Sequence, residues 1–159
     1  MATNSGKDRR RHIRFPIIQN ISEEAKMYLS PPLIMNPLPV TLNELSCGGM
    51  KFFTTSPIPT RFLFAIVFNT PFAKKIYAEA KILHVNKVDD GYMVGASFVN
   101  IKPEMREKID LMAQDYNVCE ETRKYENKDF CKTNCAYMPI CEKNVKPDAA
   151  SSKQKKKRK

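Results

Sequence analysis

The chain predicts a mainly β fold: a small antiparallel barrel or sandwich, followed by one helix and a polar C-terminal extension. Three observations carry this. Residues 75–86 and 92–99 each alternate apolar and polar side chains with period two, and Asp89, Asp90 and Gly91 stand between them as a hairpin turn. Met105, Ile109, Met112 and Tyr116 then recur at helical spacing just after Pro103. At 159 residues and 42% hydrophobic content, the chain can build one core of about 100 residues with appendages.

The first element is open. Residues 23–29 read as a short helix or a strand, and Pro31, Pro32, Pro37 and Pro39 break the surrounding stretch into extended pieces. Residues 40–45 read as a strand. Ser46, Cys47, Gly48 and Gly49 form a turn whose glycines permit positive φ and a close approach of backbone to a ligand. Residues 50–55, rich in Phe and Thr, resume an extended pattern. Residues 61–69 are apolar on both faces, which predicts a strand covered on each side, and Asn69 to Pro71 end it.

In the paired strands that follow, Ala78, Ala80 and Ile82 share one face against Glu79 and Lys81, and Tyr92, Val94, Ala96 and Phe98 share another. His84 falls on the Ile82 face and reads as a packed or partly exposed histidine rather than a ligand. Pro103 suits the first helical position and Glu104 the positive end of the helix dipole. The Met and aromatic stripe packs on the domain's own core, as a cap on the barrel.

The net charge of +10 looks like a nucleic-acid signal until it is located. Residues 7–14 carry +4 and residues 153–159 carry +6, so residues 15–152 are neutral, with 16 basic and 16 acidic groups. The folded body is therefore not a surface that tracks a phosphate backbone, and a nucleic-acid adaptor is disfavoured. The basic end, KQKKKRK, reads as a disordered solubilising tail with weak attraction to anionic surfaces as its functional alternative.

The longest apolar run, residues 62–68, falls far short of the roughly 20 residues that span a bilayer. The first 20 residues lack a signal-peptide core, and Ala2 does not fit the myristoylation pattern, so the expectation is a cytoplasmic protein. In that reducing compartment Cys47, Cys119, Cys131, Cys135 and Cys141 are thiols or metal ligands rather than disulfides. The last four have 11, 3 and 5 residues between them, in a segment too poor in aliphatic residues to form its own core. Four thiolates suit Zn²⁺ or an iron–sulfur cluster, but no CxxC pair or ferredoxin run is present. Metal ligands, redox-active thiols and inert cysteines all remain open.

The order of motifs resembles one family. An RxxxR arm (Arg10, Arg14), an LSxGG-like turn (Leu45, Ser46, Gly48, Gly49), YMVGASF at 92–98 and IKPEMREKI at 101–109 together resemble the PilZ domain of bacteria over residues 9–115. The resemblance implies a six-stranded antiparallel β-barrel with a C-terminal helix, here with a small cysteine-containing extension. Four regions are then expected: a mobile basic arm at 1–14, a barrel plus helix at 15–117, a four-cysteine segment at 118–145 and the disordered tail at 146–159.

The family's common ligand, the bacterial messenger cyclic di-GMP, offers two guanines and two phosphates. A guanidinium fork can pair with guanine O6 and N7, grip a phosphate with two bonds, or stack on a base; lysine cannot do all three. The family pattern assigns Arg10 and Arg14 to the grip, leaving Arg9 and Arg11 auxiliary or solvated. The turn motif of Asp or Asn, any residue, Ser, two residues and Gly is matched at Ser46 and Gly49. Glu44 departs from it by one methylene, about 1.5 Å, while keeping a carboxylate that could accept from guanine N1 and N2. Asn43 sits one place early on the opposite face. His12 and Cys47 read as loop spacers.

No catalytic constellation competes, because neither histidine has an evident nucleophile partner and no phosphate-cradling glycine loop occurs. Two readings of different class follow. The first is a non-enzymatic cyclic di-GMP sensor whose arm orders on binding and alters contact with a protein partner. The second is a PilZ-like interaction domain that has lost the nucleotide and works through its cysteine segment or basic tail.

Overall fold

A computed structural model describes residues 11–17, 25–29, 37–70, 73–126 and 133–141. Among them seven strands form one antiparallel sheet: β1 (Phe15–Pro16), β2 (Ala25–Leu29), β3 (Leu38–Ser46), β4 (Gly49–Thr54), β5 (Leu63–Thr70), β6 (Ala73–Val88) and β7 (Gly91–Ile101). The strand order is β1-β3-β2-β5-β6-β7-β4, and β3 also pairs with β4, so six strands close into the expected barrel. β1 is the extra strand. It takes over the edge of β3 that β2 leaves: β2 pairs with residues 38–40, β1 with Glu44 and Leu45.

The open element resolves as a strand. In β2, Ala25, Met27 and Leu29 are buried and Lys26 and Tyr28 exposed, the period-two signature that a helix would not give. The inner faces of all strands meet in one core, with Phe15, Met27, Phe52, Ile66, Ala78, Ile82 and Val94 fully buried. Phe52 and Phe64 pack edge to face within it, ring centroids 5.8 Å apart.

β5 departs from its expectation. Phe64, Ile66 and Phe68 are buried, but Leu63 is 54% exposed and Ala65 and Val67 are only half-buried. A closed single-layer barrel covers one face of each strand, so the continuous apolar run serves a core on one side only. The SCGG turn also differs: neither glycine there, nor any other among the described residues, has positive φ. What the turn requires is space. A Cβ on Gly49 would collide with the carbonyl oxygen of Ala96 across the β4–β7 pairing.

The helix α1 (Pro103–Glu126) begins at the expected proline and buries Ile109, Met112 and Ala113, with Met105 and Tyr116 half-buried beside them. It packs against β3 and β1. Cys119 lies in its second half. After it, residues 133–141 return to the helix: the Ala136 amide donates to Asp115 Oδ2 at 2.7 Å, and a short 3-10 turn, Met138–Ile140, buries Ile140. No helix among the described residues is long and apolar enough to cross a membrane.

Candidate functional site

The candidate site lies where β1, β3 and β4 meet, and a bulge creates it. Leu42 faces Phe52 and Glu44 faces Lys51, so Asn43 is one extra residue in β3. In regular alternation Leu42 and Glu44 would share a face. The bulge reverses the phase: Leu42 and Leu45 both enter the core, and Glu44 is turned out to be half-exposed. Asn43 itself has a structural task, since its carbonyl accepts the Ile17 amide at 2.8 Å and holds the end of β1. Its side-chain Oδ1 is buried, with no hydrogen-bond partner among the described residues.

Glu44 is the electrostatic centre. Its Oε2 lies 3.6 Å from Arg14 Nη1 and its Oε1 accepts from Lys51 Nζ at 3.2 Å. Lys51 was not singled out in the sequence, although a two-residue turn at Cys47 and Gly48 pairs Ser46 with Gly49 and therefore Glu44 with Lys51. All three side chains are about one-third exposed, so a dianionic ligand can reach both cations.

The turn is held from within. Ser46 is buried and its Oγ donates to the Gly49 carbonyl at 3.1 Å, while the Gly48 carbonyl accepts the Phe98 amide at 3.0 Å. His12 is no mere spacer: its Nδ1 lies 3.1 Å from the Cys47 Sγ, and its ring covers Gly48 so closely that a Cβ there would strike it. This is a nucleophile partner that the sequence did not reveal. Burial pushes the Cys47 pKa up, and the Asp110 carboxylate adds to the rise. An activated cysteine needs the opposite shift.

Of the arm residues, Arg14 is brought to Glu44, Arg11 is exposed, and Arg9 and Arg10 lie outside the described residues. His84 is exposed, its ring against Gly95, after a second bulge at Leu83 shifts it off the Ile82 face. Cys119, Cys135 and Cys141 are half-buried, and Cys131 lies outside the described residues. Among the described residues no three His, Cys, Asp or Glu side chains are arranged to hold a metal ion.

A family model for the PilZ domain matches residues 8–114. The chain belongs to the PilZ domain family. Solved structures with the same fold include the Bacillus subtilis inhibitor of motility MotI/DgrA (TM-score 0.56, 10% identity, 70% of this chain and 53% of that one). The PilZ domain of YcgR from Escherichia coli with c-di-GMP matches at TM-score 0.53 and 18% identity, over 76% of this chain and 99% of that one. The K. pneumonia MrkH–c-di-GMP complex matches at 0.54 and 16%, over 74% and 56%. The chain thus spans about half the length of MotI/DgrA and of MrkH. A search of curated protein sequences returned no match.

Proposed function

We propose that this PilZ chain is a non-enzymatic receptor for cyclic di-GMP. Arg10 and Arg14 grip the nucleotide, Glu44 accepts from a guanine edge, and the Ser46–Gly49 turn supplies the close backbone surface. Arg9 and Arg11 assist by charge. The observation that carries the reading is the approach of the Arg14 guanidinium to Glu44 beside the motif turn, from opposite ends of the predicted signature. Two relatives of the same fold are described as c-di-GMP complexes, which supports the ligand class.

On binding, the phosphates replace Glu44 as the partner of Arg14, the arm changes position, and its new surface contacts a protein partner. A receptor for an intracellular messenger acts in the cytoplasm. Calorimetric titration of the purified chain with cyclic di-GMP, alongside Arg10→Ala and Arg14→Ala, tests this. Saturable binding by wild type with severe loss in both variants is expected. An absence of heat and of chemical-shift change in wild type would overturn it and leave the nucleotide-free interaction domain.

A further inference from the structure

The matched family region ends at residue 114, yet the residues that follow pack under the strand that carries the arm. Tyr137 is buried, and its ring meets Phe15 edge to face at 5.7 Å and Tyr116 at 5.0 Å. Its hydroxyl donates to the Pro16 carbonyl at 3.4 Å, across 121 positions of sequence. Phe15 and Pro16 are the whole of β1, and they directly follow Arg14. β1 is held by two pairs with β3, the Ile17 bond to Asn43, the buried Phe15 ring and its packing on α1, and Tyr137 adds to these from the extension. A strand of two residues supplies little stability by itself.

The segment bearing Tyr137 is itself built to be firm. The Ala136 amide bonds Asp115, the Ile140 amide bonds the Tyr137 carbonyl at 3.0 Å, the Cys141 amide bonds the Met138 carbonyl at 3.2 Å, and Ile140 is 1% exposed. We infer that the C-terminal extension is a buttress for the nucleotide-binding arm, with Tyr137 as the positioning residue that fixes β1 and thereby sets where Arg14 leaves the barrel.

The inference rests on the cyclic di-GMP reading for its functional half alone. Tyr137 touches no ligand; it acts by holding Phe15 and Pro16, so that less of the arm must be ordered when the nucleotide arrives. Coupling of this kind is reciprocal: a ligand that orders the arm must also steady the buttress. Cys135 and Cys141 stand at the two ends of the segment, so any chemistry at these thiols that displaces it reaches the arm by the same route.

The test uses the full-length chain as wild type, Tyr137→Ala and Tyr137→Phe. Amide exchange at Ile17, whose bond to Asn43 reports β1, is compared with that at Ile66 in the barrel, first without nucleotide. Tyr137→Ala should speed exchange at Ile17 by about tenfold, equivalent to ~1.4 kcal/mol of local opening, while leaving Ile66 unchanged. Tyr137→Phe, which keeps both ring contacts and loses only the bond to Pro16, should restore most of the protection. Cyclic di-GMP affinity should fall in step with the Ile17 change, and saturating nucleotide should slow exchange at Ala136 in wild type.

Unchanged exchange at Ile17 in Tyr137→Ala overturns the buttress. Faster exchange with unaltered affinity overturns its coupling to the ligand. Should wild type bind no cyclic di-GMP, the receptor reading fails while the Ile17 comparison still decides the buttress. Should Tyr137→Ala not fold, Tyr137→Leu, which loses both ring contacts and the Pro16 bond while filling part of the space, takes its place: exchange at Ile17 equal to wild type would overturn the positioning role.

Discussion

Replacing Arg14 by Ala separates the site's function from its stability. In the free chain the guanidinium is 38% exposed and 3.6 Å from a carboxylate that Lys51 already holds at 3.2 Å. An ion pair so placed is worth about 0.2–1 kcal/mol. The loss of Arg14 should therefore lower the melting temperature by no more than about 2–5 °C. In the proposed complex the same fork would make charge-assisted bonds worth about 1.5–3 kcal/mol each. Two such bonds, less the cost of leaving Glu44, amount to at least about 2 kcal/mol, or a loss of ~30-fold in affinity. Arg14→Lys should recover only part of this, since an ammonium cannot form the fork. Calorimetry at fixed ionic strength and a thermal scan without ligand read the two effects. Binding by Arg14→Ala within threefold of wild type would refute the assignment, and a melting drop above ~10 °C would show that Arg14 serves the fold instead.

Gly49→Ala should cost about 1–3 kcal/mol in a denaturant melt, because its Cβ meets the Ala96 carbonyl and, at 3.0 Å, the Ser97 Cα, both backbone. Gly48→Ala meets only the His12 ring, which can swing away, so its cost should stay below ~1 kcal/mol; equal losses at the two glycines would contradict the steric account. The Cys47 thiol is held above its ordinary value of 9.0 by burial and then by Asp110. Its contribution to stability is complete below that value and is lost as pH rises through the raised one, because the unfolded thiol ionises first. Thermal scans from pH 8 upward should fall more steeply for wild type than for Cys47→Ala, and parallel curves would dismiss the shift. Glu44→Asp moves the proposed guanine acceptor by one methylene and should change cyclic di-GMP affinity by about tenfold, the worth of one hydrogen bond to a charged group, and an affinity within about twofold of wild type in a titration would remove Glu44 from the ligand contact.

How much could be read from the chain depends on the range of the interaction. β6 and β7 were legible because each side chain's polarity reports its own face, and α1 because its stripe recurs over about three turns. β1, with two residues, has no period to detect. The Asn43 bulge is invisible because it depends on the register against β4, not on any residue preference within β3. The His12–Cys47 contact joins loops 35 positions apart, and the Tyr137–Pro16 bond 121, distances over which local patterns carry no information. The outer row of β5 misled for the converse reason: apolar residues on a sheet face do not require a second layer, since much folded surface is apolar.

Glu44 is where sequence pattern and geometry pull apart, and the opposing terms can be weighed. An Asp at this position would be shorter by one methylene; the Glu carboxylate spans Arg14 and Lys51 together. In the free chain this holds the guanidinium beside the motif turn, which removes part of the ordering cost of one long side chain, about 0.5–1.5 kcal/mol. The phosphate must then displace the carboxylate, which costs about 0.2–1 kcal/mol for a pair one-third exposed. The terms are opposite in sign and equal in scale. Lys51 tips the balance toward release, because Glu44 keeps a cationic partner when Arg14 departs and is never left as an unpaired charge. A receptor can therefore carry Glu here, provided that the facing residue on β4 is a cation.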